Sequence, residues 1–157
     1  MASEAPVPTV TPMLAYADAG AALDWLAKAF GFRERTRIAM PDGSIGHAEM
    51  ETGGDGVIML AEPDPHYQGP ARHAETCEAA RSWSAVPYVI DGVLVHVDDV
   101  DAHFEHAREA GATILSEPED TGHGRSYRAA DLEGHRWMFD QRPSTAHAGG
   151  EQARWPA

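Results

Sequence analysis

"MLAYADAGAALDWLAKAFGF", Met13 to Phe32, and "VLVHVDDVDAHFEHAREAGA", Val93 to Ala112, carry one pattern twice. In each copy a short apolar stretch meets an Asp, an amphipathic stretch comes next, and a Gly closes it. Leu14 and Tyr16 in the first copy, and Val93, Val95 and Val97 in the second, have the two-residue period of a strand. Asp18, and either Asp98 or Asp99, can accept hydrogen bonds from the free N–H groups that open a helix. Ala22, Leu23, Leu26 and Phe30, or Ala102, Phe104 and Ala107, then make the apolar stripe by which that helix packs. Gly31 and Gly111 stop it, because Gly accepts the left-handed conformation a helix end often needs.

The segments beyond the two helices also match. "FRERTRIAMPDGSIGHAEMETGGDGVIMLAE" predicts a strand from Arg33 to Met40, a Pro-Asp-Gly turn, a strand through Gly46 to Glu51, a Gly-rich turn, and a strand from Val57 to Ala61. After Gly111, "ATILSEPED", "GRSYRAAD" and "HRWMFD" supply three strands again. Each half therefore reads as βαβββ, over residues 9–62 and 91–141. Residues 63–90 read as a linker with one short helix around Glu75 to Trp83, and 142–157 as a flexible C-terminal tail with little to bury. In "DLEGHRWMF", Asp131 to Phe139, Asp131 caps a tight turn and Gly134 takes a conformation that needs no Cβ. Glu133 and His135 are then turn and strand-edge residues, while Trp137 and Phe139 point to the helix-covered face.

The chain has 157 residues, 43% of them apolar and 24% charged, which suits a globular protein able to bury a real core. Its 25 acidic against 12 basic residues give a net charge of -13, which repels phosphate backbones and anionic membranes. Nucleic acid and membrane surfaces are therefore not expected partners, and a cationic small molecule would be drawn in. The single Cys77, beside Glu75 and Glu78, excludes an intramolecular disulfide and a Cys-rich zinc site. The start "MASEAPVPTVTP" has neither the basic nor the apolar region of a secretory signal, and no apolar run is long enough to span a bilayer. The expected compartment is the cytoplasm. No phosphate-binding Gly loop, nucleophile elbow or Ser/His/Asp arrangement is present, and "GGDG" at Gly53 to Gly56 reads as a hairpin turn.

Tandem βαβββ modules with the local text "YADAGAALDWLAKAFGF", "DGSIGHAEM" and "RAADLEGHRWMFD" resemble the vicinal oxygen chelate superfamily, which includes glyoxalase I, extradiol dioxygenases and bleomycin resistance proteins. The likeness covers residues 9 to 141, and the "HAE" strand with the "EGHRW" turn is most similar to the branch termed PhnB-like. It implies an α+β fold in which curled mixed sheets surround a central pocket and helices cover the outer faces. It also implies a homodimer, since such modules commonly complete their pockets across a two-fold axis. Fold alone does not select among the isomerases, oxygenases and binders of such a family.

Enzymes of that family usually hold a divalent metal with a His on the first strand of a module and a Glu on the last. The resemblance carries those positions onto Thr11 and Gly92 for the His, and onto Met59 and Met138 for the Glu, with Asp91 one residue out of register. Thioethers are soft donors, unsuited to hard cations. No metal or other cofactor is therefore expected, and a pocket lined by Met59 and Met138 would be soft and apolar.

Other side chains could carry chemistry. His47 and Glu49 are two apart on a strand and share a face, which suits a metal pair, an acid–base pair, or a plain cross-strand hydrogen bond. The repeat places Tyr127 and Ala129 at the matching positions. His96 shares a face with Gly92, Leu94 and Asp98, where it could act as a base, bind ligand, or rest as a satisfied interior side chain. His103 and His106 read as one exposed polar helix face. Trp83, Tyr67 and Tyr88 could form an aromatic wall for a planar ligand or pack between the modules. Arg136 alternates onto the face of Met138 and could grip a carboxylate or pair with Glu49. Met13 and Tyr127 complete the expected lining.

These features point to a metal-independent protein that binds or sequesters a small hydrophobic or cationic organic compound, of the antibiotic resistance type. Its binding residues would be Met13, Met59, Trp83, Tyr88, His96, Tyr127, Arg136 and Met138. The alternative is a lyase, isomerase or dioxygenase of the same superfamily, working through a displaced divalent metal or with His47, Glu49 and His96 as acid and base. A third reading is an interaction module whose pocket is filled.

Overall fold

The computed structural model describes residues 8–85 and 92–143. Along the chain run β1 (Met13–Ala15), α1 (Ala19–Phe30), β2 (Arg33–Ala39), β3 (Ile45–Gly53), β4 (Gly56–Ala61), α2 (Pro70–Thr76), α3 (Glu78–Ser84), β5 (Gly92–His96), α4 (Val100–Glu109), β6 (Thr113–Thr121), β7 (Gly124–Ala130) and β8 (Arg136–Gln141). The strands form two four-stranded sheets, ordered β1-β4-β3-β2 and β5-β8-β7-β6. In each the first strand lies parallel to the last, because a helix crosses over between the first strand and the rest; the later strands pair antiparallel. The fold is thus α+β, with two mixed sheets of one topology.

Both crossover helices start and stop as their sequences dictate. The Asp18 side chain accepts from the Ala21 N–H at 2.8 Å and that of Asp99 from the Ala102 N–H at 2.9 Å. Gly31 closes α1 at φ 73°, a left-handed conformation that a side chain would strain. The apolar stripes of α1 and α4 are buried through Ala22, Leu23, Leu26, Phe30, Phe104 and Ala107. These stripes and the helix-covered faces of both sheets meet in one core, in which Phe30 of α1 lies 4.8 Å from the Phe139 ring and 5.6 Å from that of Trp137. The helices thus lie inside, between the sheets, and not on the outer faces as the resemblance implies, so the other face of each sheet is left open on the outside.

The single helix expected around Glu75 to Trp83 is in fact two. Pro70 starts α2 early, at a position where its missing N–H costs nothing, and Cys77 at φ -124°, ψ 117° breaks the run. Arg81 of α3 donates to the Ala74 and Glu75 carbonyls, so the broken end of α2 is satisfied. Neither helix contributes a buried residue. Tyr88 and Asp91, and the expected tail beyond Pro143, lie outside the described residues.

The two halves are tied by side chains rather than by strand pairing. The buried Asp131 accepts from Tyr16 Oη at 2.6 Å and from Trp137 Nε1 at 3.0 Å, and its other oxygen takes the Glu133 and His135 N–H groups of its own turn. Burial, together with the Asp131 charge, pushes the Tyr16 hydroxyl far above the usual range for a phenol. Glu133 caps the approach to α1 by accepting from the Ala17 and Asp18 N–H groups, and His135 Nε2 donates to the Ala15 carbonyl at 2.7 Å. Gly134, at φ 90°, passes so close to Ala71 that a Cβ would lie 2.6 Å from its nitrogen. Hence the polar turn of "DLEGHRWMF" is both the tight turn expected and a latch onto the first half.

At the other end of the seam the structure corrects the reading of His103 and His106. They do not form a free polar face. His106 Nε2 lies 2.7 Å from the Lys28 carbonyl and His103 Nε2 3.1 Å from that of Phe30. The end of α1 has carbonyls without partners inside the helix, and α4 packs alongside to supply them. His103 Nδ1 accepts from the Tyr127 hydroxyl at 2.7 Å, and burial lowers the His103 pKa.

Candidate functional site

Strand alternation sorts the remaining residues by face. On β4, Ile58 and Leu60 are buried under the helices, which puts Met59 and Ala61 on the open side; on β8, Trp137 and Phe139 are buried and Met138 faces out. Across the first sheet Met13, Met59 and Glu49 stand side by side, and across the second Leu94, Met138 and Arg128. Met13 is 75% and Leu94 50% exposed, so large apolar side chains meet solvent on both faces.

This register moves one candidate. Tyr127 is not on the open face: it is fully buried among Phe104 and Phe139 with its hydroxyl on His103, and burial pushes its pKa upward. The strand partners show why. Glu49 pairs with Met59 and Arg128 with Met138, so the counterpart of Glu49 is Arg128, one residue from the expected Ala129. A slip of one residue turns every side chain of a strand to the other face.

On the first open face His47 Nε2 lies 3.2 Å from Glu49 Oε1, so these two candidates do meet. Arg35 Nε stands 3.9 Å from both Glu49 and Glu51, and Arg33 pairs with Glu51. The carboxylates are thus matched by guanidinium groups at the edge strand. Such a pair can exchange a proton, and equally can fix a polar margin beside the thioethers.

On the second face Arg136 does not reach Glu49; its guanidinium donates to the Ser84 carbonyl at the end of α3. Trp83, the residue before Ser84, is 54% exposed. His96 is paired along β5 and β8 with Asp140, and its ring lies between the carboxylate and Arg142, at 3.2 and 2.8 Å. Neither Asp140 nor Arg142 is among the candidates that the sequence suggests. For Asp140 a signal exists, since it stands two residues after Met138 and so shares its face.

The four positions that the family resemblance assigns to metal do not fit a hard divalent ion. Met59 and Met138 offer thioethers, Gly92 no side chain and Thr11 a lone hydroxyl. Among the described residues no group of three or more His, Cys, Asp or Glu side chains could hold one elsewhere. Nor is any helix among them long and apolar enough to cross a membrane.

Known proteins share this architecture. The family model of the Glyoxalase/Bleomycin resistance protein/Dioxygenase superfamily matches residues 9–139. The uncharacterized protein Rv0887c of Mycobacterium tuberculosis is 35% identical over 135 residues, covering 85% of this chain and 74% of its own. The crystal structure of TioX from Micromonospora sp. ML1 is 35% identical, with a TM-score of 0.62 over 88% of this chain and 98% of TioX. TnmS3 from Streptomyces sp. CB03234, described as an antibiotic binding protein, superposes with a TM-score of 0.59 over 88% of this chain and 99% of its own, at 19% identity.

Proposed function

This chain belongs to the Glyoxalase/Bleomycin resistance protein/Dioxygenase superfamily, and on that premise we propose that it binds and sequesters a small, largely apolar organic compound without a metal. The observation that carries the reading is the pair of thioethers, Met59 and Met138, standing on the open faces where the family places its metal-binding carboxylate. Methionine is flexible and polarizable, which suits contact with a bulky ring system rather than coordination of a hard ion. Met13, Leu94 and Arg136 extend those surfaces. A solved neighbour of the same fold, TnmS3, is described as an antibiotic binding protein. A second copy of the chain would close each open face into a pocket, which the exposed Met13, Ile38 and Leu94 favour. That arrangement is checked by sedimentation, where a purely monomeric species would remove it.

The binding reading is tested by titrating aromatic antibiotics and following tryptophan fluorescence with and without EDTA. Saturable binding is expected, indifferent to EDTA and lost in Met59→Lys or Met138→Lys. Stoichiometric divalent metal in protein purified without chelator, with binding abolished by EDTA, would sink it. The contact between His47 and Glu49 favours one other reading, a lyase or isomerase using them as acid and base. Turnover lost in His47→Gln would establish that reading in its place.

A further inference from the structure

A cleft of about 620 Å³ opens where the turn between β3 and β4 meets the ends of β5 and β8. Thr52, Asp55, Leu94, His96, Asp98 and Arg142 are among its walls. The His96 side chain is 45% exposed there, and behind it stands Asp140, whose side chain is only 12% exposed. Asp140 Oδ2 lies 3.2 Å from His96 Nδ1, in place to accept its proton. Arg142 Nη2 lies 2.8 Å from His96 Nε2, and a guanidinium can only donate, so that nitrogen offers a lone pair. The carboxylate thereby fixes the tautomer and orientation of the ring, with the basic nitrogen beside a permanent cation.

We propose that this relay is a subsite for a weakly acidic hydroxyl, that of a phenol or an enol carried by a small organic ligand. On binding, the ligand hydroxyl takes the place of Arg142 at His96 Nε2: the Arg142 hydrogen bond and the ligand O–H bond break, the proton goes to Nε2, and the electron pair stays on the ligand oxygen, which Arg142 then donates to. The oxyanion then lies between the imidazolium and Arg142, while Asp140 balances the charge gained by the ring. No oxidant, reductant or metal takes part. Asp55 and Asp98 also line the cleft, and the chain carries a net charge of -13, so a polyanion such as a phosphate is repelled. A weak acid meets no such barrier, because it arrives neutral and ionises in place. The proposal rests on the binding reading and deepens it by naming the polar group of the ligand.

The probe is para-nitrophenol, whose ionisation is visible in its absorbance, with its methyl ether para-nitroanisole as the partner that has no proton to give. Below the pKa of the free phenol, the protein is expected to raise the phenolate band saturably and to prefer nitrophenol over nitroanisole. Arg142→Gln and His96→Gln, checked for folding by circular dichroism, are expected to reduce that preference about tenfold, the scale of one charged hydrogen bond. Equal affinity for the two probes, no phenolate band, or a band that survives both substitutions overturns the proposal. If neither probe binds, it is overturned as well. In each of these cases the binding reading stands or falls separately, on the antibiotic titration with Met59→Lys and Met138→Lys.

Discussion

The seam between the two halves and the open faces of the sheets draw on the same residue types, His, Asp and Glu, to opposite ends. In the seam these groups sit at hydrogen-bond distance from a partner: Tyr16 and Trp137 on Asp131, His135 on Ala15, His103 on Phe30 and Tyr127. On the open faces thioethers and a leucine stand exposed beside polar groups that are half in solvent. A satisfied polar group in a dry place holds structure, and breaking it leaves its partners unpaired. The same group at a wet apolar surface costs little to change and is available to a ligand. The difference separates stability from binding, residue by residue.

The largest effect is expected at the seam. Asp131→Ala leaves the Tyr16 hydroxyl, the Trp137 indole and the N–H groups of the last turn without their shared acceptor, and should cost about 3–5 kcal/mol in urea denaturation. A cost under about 1 kcal/mol would show that the seam tolerates an empty centre and would erase the contrast. His103→Gln is expected to cost about 1–2 kcal/mol at neutral pH, by loosening the contacts to Phe30 and Tyr127.

The same residue gives a pH signature. Burial depresses the His103 pKa in the folded chain, so the unfolded chain takes up the proton first. Its contribution is therefore complete above the unfolded value of about 6.5 and is lost as the pH falls through the folded value. Denaturation across that window should show a slope that His103→Gln reduces; an unchanged slope would remove His103 as its source. The smallest effect on stability belongs to the open faces. Met59→Lys and Met138→Lys should each alter stability by no more than about 0.5 kcal/mol, measured in the same way. A loss as large as that at Asp131 would mean that the thioethers are core residues after all.

Much of this is legible in the sequence wherever the signal is local. Asp18, Asp99 and Gly31 announce the ends of their helices because capping acts over a few residues, and alternation within β8 separates Met138 from Trp137 and Phe139. The sequence misplaces Tyr127 because its face is transferred from the first half by aligning two strands whose hairpins differ, and nothing local to β7 sets that register. His103 and His106 are legible as polar residues on a helix. Their partners, the last carbonyls of α1, are brought by packing of the other half and leave no trace near residue 103. For the same reason the turn of "DLEGHRWMF" can be recognised as a turn but not as a latch.

That latch has a consequence for how the molecule is made. Asp131, Glu133 and His135 grip Tyr16, Ala17, Asp18 and Ala15 across separations of 115 to 120 residues. On the ribosome, β1 and the start of α1 emerge 115 to 120 residues before the groups that receive them. The amino-terminal half must therefore wait, with its Tyr16 hydroxyl and first helical amides served by water, until the carboxy-terminal hairpin leaves the exit tunnel. A chain truncated before Asp131 would hold both crossover helices and every described strand but β8 and still lack its fastening, so synthesis of that turn is the step that commits the fold.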